Sequence, residues 1–426
     1  MADYSNSLAD FVDFAGRVEE IIQDEAYRFA PPLRPVLRNR QNPIEAYNDA
    51  EFLSRYRFSK RAVIRLLEML PLHPKDNERG HPVPPLLQLL ITLRFYGAGT
   101  FQVVTGDLVN VSQASVSRIN ARISRMIADA LFPQLVRLPN ASEAAVVMEE
   151  FYAMARFPGV SGCIDCTHVP MKNPGGEDAE VFRNRKGYFS INVQAITGPQ
   201  LQFFDLVASW PGSAHDSRIF DNSSARVQYE RGTVPGILLG DKGYPCRSYL
   251  MTPFRDTGTK DSPKHRYNKS LSRTRCSVER AFGVWKRRFP CLDMTLQIKT
   301  SSVPIIITAC AALHNFGHLL REPVPPPPQS QVIHDSSSPA TISSAPPPPA
   351  AMPLVPDTAD GFRMRGRIVA QRAPSSIETA VCLWLPLVEV RFVPPGTAAL
   401  AVAAEAAPEV VVGAPAAASD KLAPPP

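Results

Sequence analysis

The chain reads as a mixed α/β (α+β) domain, preceded by an all-helical region and followed by a proline-rich tail. Three observations lead there. Between residues 51 and 132 apolar side chains recur at helical spacing, and from Val160 they shift to alternation and short apolar runs. Of the 43 prolines, 21 fall in residues 323–426, in runs such as Pro325–Pro328 and Pro346–Pro349. A stretch of that composition buries too little apolar surface to offset its ordering entropy and is read as disordered. The resulting division is an arm (1–50), a helical domain (51–132), a connector (133–159), an α/β domain (160–320) and the tail (321–426).

Taken in order, Leu8 to Ile22 is amphipathic near helical spacing, and a Pro/Arg-rich segment follows it. Ser59 caps a periodic run through Leu70, and Pro84-Pro85 open a second helix, Leu86 to Phe95. Residues 100–108, a short turn, and a helix from Ser112 to Arg125 form a helix-turn-helix pattern. Val116, Ile119, Ile123 and Met126 make its apolar face, and Gln113, Ser117, Arg118, Asn120, Arg122 and Arg125 the opposite one. Either a DNA-contacting helix or an ordinary helical hairpin with a basic solvent face fits. The connector holds a helical run, Ala141 to Arg156. Strands are expected at 161–165, 188–196, 201–209 and 235–241, with the second and third forming a hairpin across Gly198-Pro199. A short helix (214–220), a loop-rich region (251–270), a helix from about Leu271 to Phe289 and an apolar helix (303–320) complete the pattern.

Net charge is only +6, but it is unevenly placed: Ser262 to Leu292 carries nine Lys or Arg and one acid, Glu279. Such a stretch is an anion-binding footprint, with nucleic acid the commonest partner, or else a solvated basic surface. Cys163 and Cys166 form C-x-x-C with His168 nearby, but no second pair completes a zinc set, so reduced thiols are expected. The acidic N-terminus has no signal-peptide h-region, and the apolar run Val303 to Leu313 is too short to span a bilayer, so no membrane association is expected.

Three acids stand at the margins of separate apolar segments: Asp165, Asp241 and Glu279. Between the first two lie 75 residues, and between the last two 37. Carboxylates converging from strand ends and a packed helix can hold two hard divalent cations about 3.5–4 Å apart, the arrangement that cleaves phosphodiesters. Singly, an Asp at a strand end is more often a turn former or N-cap than a ligand, and a lone Glu on a basic helix more often a salt-bridge partner; the ordered set is stronger than its members. Asp216 is a fourth, auxiliary candidate inside the short helix, and Asp205, mid-strand, reads as structural. Arg183, Arg185, Lys186, Arg275, Lys286 and Arg287 are placed to meet backbone phosphates.

Several segments resemble the PIF/Harbinger superfamily of DDE transposases over roughly residues 50–320. They are Cys163-Ile-Asp-Cys-Thr-His168, Phe182-Arg-Asn-Arg-Lys-Gly-Tyr188, Ser190-Ile-Asn-Val-Gln194, Trp210-Pro-Gly-Ser-Ala-His-Asp-Ser217, Gly240-Asp-Lys-Gly-Tyr-Pro245, Val278-Glu-Arg-Ala-Phe-Gly283 and Trp285-Lys-Arg-Arg-Phe289. The resemblance implies a ribonuclease-H-like fold, a mixed five-stranded sheet flanked by helices. It implies a divalent-metal (Mg²⁺ or Mn²⁺) site at Asp165, Asp241 and Glu279. It also implies DNA as substrate, a nuclear role, and a Myb-like or SANT-type partner that assists DNA binding and import from the cytoplasm. The tail departs from the family pattern, as do Cys166 and Lys242, which stand where small residues are usual. The competing readings are a DNA-binding or interaction protein without catalysis, and a ribonuclease.

Overall fold

The computed structural model describes residues 42–72, 83–99, 111–260, 262–324 and 356–371. The expected N-terminal amphipathic segment and the first helix of the helix-turn-helix lie outside the described residues.

Helices come first. α1 (Asp49–Tyr56) starts at a reciprocal cap, Asn48 with Glu51, and ends at Arg57 in the left-handed region, φ 66°. α2 (Lys60–Met69) is capped by Ser59. α3 (Pro85–Ala98) begins on a proline and is buried on almost every side. α4 (Gln113–Leu135), capped by Ser112, runs well past Arg125, through Pro133. Its Asn120, expected on the solvent face, is buried and accepts a hydrogen bond from Thr92 of α3 (3.2 Å). α5 (Ala141–Ala155) opens on a second reciprocal cap, Asn140 with Glu143.

The sheet follows: β1 (Val160–Pro170), β2 (Ser190–Thr197) and β3 (Phe203–Pro211) pair antiparallel as a meander. Short helices α6 (Asp216–Asp221) and α7 (Ser224–Glu230) then carry the chain across to β4 (Ile237–Leu239), parallel to β1, and β5 (Leu250–Met251), parallel to β4. The order is β3-β2-β1-β4-β5, the mixed five-stranded sheet the resemblance implies. Three strands differ from expectation, β4 keeping only three residues of the expected seven. β1 is eleven residues long rather than five, because pairing with β2 carries it to Pro170. β5 is two residues long and leaves no period to read.

α8 (Pro263–Arg288) packs on β1, β2 and α5, and begins eight residues before the expected Leu271. Ser262 caps it and Pro263 sits in its first turn, while fully buried Tyr267 starts the inward stripe that Leu271, Val278 and Trp285 continue. α9 (Val303–Leu319) lies against α4, β3 and α8. Its Asn315 is a buried junction: Nδ2 donates to Leu135 O and Phe203 O (2.7 Å each), and Oδ1 accepts from Phe203 N (2.9 Å). By length and composition Thr300–Leu319 could cross a membrane, but 67% of that window is covered by the rest of the chain, as in a core helix. Within the proline-rich region the described residues include one more helix, α10 (Ala359–Gln371), which packs on α8 and β5.

Candidate active site

Asp165 lies in the middle of β1, not at a strand end as expected. The reason is asymmetric pairing. On one side β2 accompanies β1 from Cys163 to Pro170, but on the other β4 pairs only as far as Cys163. Asp165 therefore stands two residues past the end of the parallel pairing, at the carboxyl end of β4. The carboxyl ends of strands in α/β sheets are where ligands commonly bind. Asp241 sits two residues beyond β4, at the same end of the sheet. Its Oδ1 accepts from Gly243 N (2.8 Å), which fixes the carboxylate within its own turn.

Asp216, the auxiliary candidate, opens α6. Asn192 of β2 donates to its Oδ1 (3.0 Å) and to Ala214 O (2.9 Å). A β-carbon placed on Gly243 would stand 3.0 Å from Asp241 Oδ1 and 3.7 Å from Asp216 Oδ2, so both acids border one small space. Glu279 is exposed on α8, and Arg275 one turn before it joins the helix to the strand. The Arg275 guanidinium donates to Asp165 Oδ2 (2.7 Å) and to Glu279 Oε1. Strand and helix acids, separated by more than a hundred residues of chain, thus share one cation.

Burial pushes the Asp165 carboxyl up to about 6. Arg275 and the Cys166 N–H pull against that rise, while Asp241 and Asp216 add to it by like-charge repulsion. Although partial burial opposes it, the charges of Asp165, Glu279 and Asp241 hold Arg275 more firmly protonated. Burial also pushes the Cys166 thiol well up, with Asp216 adding to it; the thiol lies 3.3 Å from the buried Tyr244 hydroxyl. A thiol kept protonated is no ligand, so the donors on offer are hard oxygens, the set that suits Mg²⁺ or Mn²⁺. Among the described residues, no three His, Cys, Asp or Glu side chains stand together as a preformed ligand set; Glu279 is drawn to Arg275 instead.

The cations expected to meet DNA are distributed unequally. Arg118, Arg122 and Arg125 are exposed on α4, opposite its buried Val116, Ile119 and Ile123. Arg185 and Lys186 are exposed on the turn before β2, near enough to His168 to help depress its basicity, which burial lowers first. Three others are already engaged: Arg275 as above, Lys286 with His168 O (2.9 Å) and Asp293 (3.4 Å), and Arg183 with Glu180 (2.7 and 3.0 Å) and the Phe189 ring. Arg287 is half-buried. Asn192 and Tyr244 were not singled out from the sequence. A readable signal existed for Asn192: Ser190, Asn192 and Gln194 put a polar residue at every second position of a strand that is buried throughout.

Comparison with known proteins identifies the family. The family described as DDE superfamily endonuclease matches residues 164–315. The human protein named "Putative nuclease HARBI1" is 34% identical over 279 residues, covering 64% of this chain and 78% of that protein. Its Xenopus laevis counterpart is 29% identical over 279 residues, covering 64% and 79%. The Arabidopsis thaliana "Protein ALP1-like" is 26% identical over 256 residues, covering 56% and 62%. No solved structure matches the chain.

Proposed function

The chain belongs to the Harbinger-derived family of DDE-superfamily nucleases, and from that premise we propose that it is a divalent-metal-dependent DNA nuclease centred on Asp165, Asp241 and Glu279, with Asp216 beside them. One observation carries this reading: the Arg275 guanidinium spans Asp165 and Glu279 within reach of the Asp241 charge. A cationic group bound to two of the three acids marks the place where positive charge is stabilised. A bound Mg²⁺ or Mn²⁺ pair would supply nucleophile activation and leaving-oxygen stabilisation for phosphodiester hydrolysis.

The chain's own groups do the rest. Asp165 and Asp241 are held by backbone N–H groups of Cys166 (2.9 Å) and Gly243, and Asp216 by Asn192, so three of the four acids are oriented before any ligand arrives. Glu279, exposed and one helical turn from Arg275, is held by that guanidinium alone among the described contacts. Loading of the centre requires Arg275 to leave at least one of its two carboxylates. Exposed Arg185 and Lys186 lie near His168 of β1 and would hold backbone phosphates, while Arg118, Arg122 and Arg125 supply a separate basic stripe on α4.

The test is cleavage of duplex DNA with Mg²⁺ or Mn²⁺, alongside Mn²⁺ titration by calorimetry. Metal-dependent cutting that vanishes in Asp241→Ala supports the assignment; undiminished cutting in that variant removes it. A second reading, DNA binding without catalysis, draws on the same Arg275 bridge taken as a permanent occupant. It predicts DNA binding without measurable Mn²⁺ uptake.

A further inference from the structure

α10 comes from the proline-rich region, yet its contacts converge on the strand and loop that follow Asp241. Asp357 Oδ1 accepts from Cys246 N (2.6 Å), and Thr358 N donates to Cys246 O (2.9 Å), so two residues ahead of the helix clasp both backbone polar groups of one residue. Gly361 lies flat on the Cys246–Arg247 peptide: a β-carbon there would stand 2.4 Å from Cys246 O, 2.6 Å from its carbonyl carbon and 2.8 Å from Arg247 Cα. Arg365 is 8% exposed; its guanidinium rests 4.2 Å from the centre of the Phe254 ring and within 3.5 Å of Thr252 O and Pro253 O. Ile368 is fully buried. More than a hundred residues of chain separate the two sides of every one of these contacts.

The place they seal is weak without them. β5 is two residues long and forms the edge of the sheet, and so short an edge strand has little ladder of its own to hold it. Cys246 is five residues beyond Asp241, on the loop between β4 and β5. Among the described residues, the Asp241 carboxylate is hydrogen-bonded only within that loop, through Gly243 N.

We propose that residues 356–371 are a positioning element for the Asp241 loop: a helical clasp that docks on Cys246–Phe254 and thereby holds the Asp241 carboxylate toward Asp165 and Asp216. The surface it occupies is a recognition groove specific for a small residue at Gly361, a carboxylate or amide oxygen at 357 and a cation at 365. Arg365 neutralises no acid there; it caps the carbonyls at the end of β5 and stacks on Phe254. The clasp acts through Asp241, and so its effect on metal rests on the nuclease reading above.

Two glycines of the same helix provide a test in the full-length chain. Gly361→Ala drives a methyl into the Cys246 carbonyl, whereas Gly366→Ala meets nothing within 4 Å and raises helix propensity. Hydrogen exchange is followed at the Gly243 and Cys246 amides, which report the Asp241 turn and the clasp directly. Gly361→Ala is expected to speed exchange at both at least ten-fold and to weaken Mn²⁺ binding by a similar factor, with Gly366→Ala unchanged or more protected. Should Gly361→Ala fail to fold, the Asp357 pair serves instead: Asp357→Ala loses protection at Cys246 and Gly243, and Asp357→Asn, which keeps an acceptor oxygen, restores it. Unchanged exchange at Gly243 in Gly361→Ala or Asp357→Ala, with α10 itself released, overturns the proposal. Absence of Mn²⁺ binding in the parent chain overturns the metal reading instead, and the exchange result still decides whether α10 holds the loop.

Discussion

Acidification is the sharpest perturbation of the proposed centre. With its carboxyl pushed up to about 6, Asp165 takes a proton just below neutrality in the metal-free protein, and a cation must displace that proton to bind. At pH 7 about one molecule in ten carries it; at pH 5 about ten in eleven do. Apparent Mn²⁺ affinity should therefore fall about ten-fold between pH 7 and pH 5. A carboxyl at the ordinary value of 3.8 would cost less than about a tenth of the affinity over the same interval. The direction is fixed by the linkage: the metal-free state binds more protons as pH falls, so metal binding releases them and weakens. Calorimetry in two buffers of different ionisation enthalpy reads both the affinity and the proton release, the latter near half a proton per site at pH 6. In Arg275→Gln the main attraction opposing protonation is gone, so the whole fall should move to higher pH. A parent chain that binds Mn²⁺ with affinity flat from pH 7 to pH 5 refutes the reasoning, since Asp165 would then not be among the ligands.

Two further outcomes are expected. Burial pushes Asp205 up to about 6, and its Oδ2 is buried without a partner. The folded state binds that proton more tightly than the unfolded one, so the associated stability is complete below 3.8 and lost as pH rises through 6. A shift of about 2 pKa units corresponds to about 3 kcal/mol, an upper bound; Asp205→Asn should recover much of it at pH 8 and little at pH 4, measured by urea unfolding. Replacing Arg118, Arg122 and Arg125 together with Ala should weaken duplex DNA binding and lower the slope of log affinity against log salt by up to about 3, some 0.9 per lost phosphate contact. An unaltered slope in fluorescence-anisotropy titrations would mean that α4 does not touch the backbone.

What the sequence disclosed and what it hid divide along physical lines. The β2–β3 pair was readable because alternation is local and Gly198-Pro199 punctuates it; the observed strands lie within two residues of the expected ones. β1 was cut short because its outer half is held by β2 across a long connection, and local pattern carries no trace of a partner. The start of α8 was missed although Ser262-Pro263 is a readable cap, because Lys264, Arg266 and Lys269 mask the stripe that Tyr267 begins. α10 was hidden more deeply. Two glycines in thirteen residues argue against a stable isolated helix, and Gly361, costly in propensity, is what permits close approach to Cys246. The three proposed site acids were legible as positions, but not the Arg275 bridge, which exists only once α8 is laid across β1.

That bridge also bears on why the proposed centre would call for a cation. Asp216 and Asp241 border one small space, Arg275 ties Asp165 to Glu279, and of the cations nearby only Arg275 is hydrogen-bonded to any of these acids among the described contacts. Four acids against one guanidinium leave a surplus of negative charge in partly desolvated surroundings, and burial first, then repulsion from Asp241 and Asp216, raises the Asp165 carboxyl. A monovalent guanidinium can relieve only part of it, and from one side. Two divalent ions would offset it fully and would free Arg275 to turn toward a substrate phosphate, where its forked donors suit a bidentate contact. On this account Arg275→Lys is not a conservative change: a point charge on a flexible stem cannot span Asp165 and Glu279 at once. It should bind Mn²⁺ at least as tightly as the parent while losing DNA affinity, and a variant that matches the parent in both would show the fork to be dispensable.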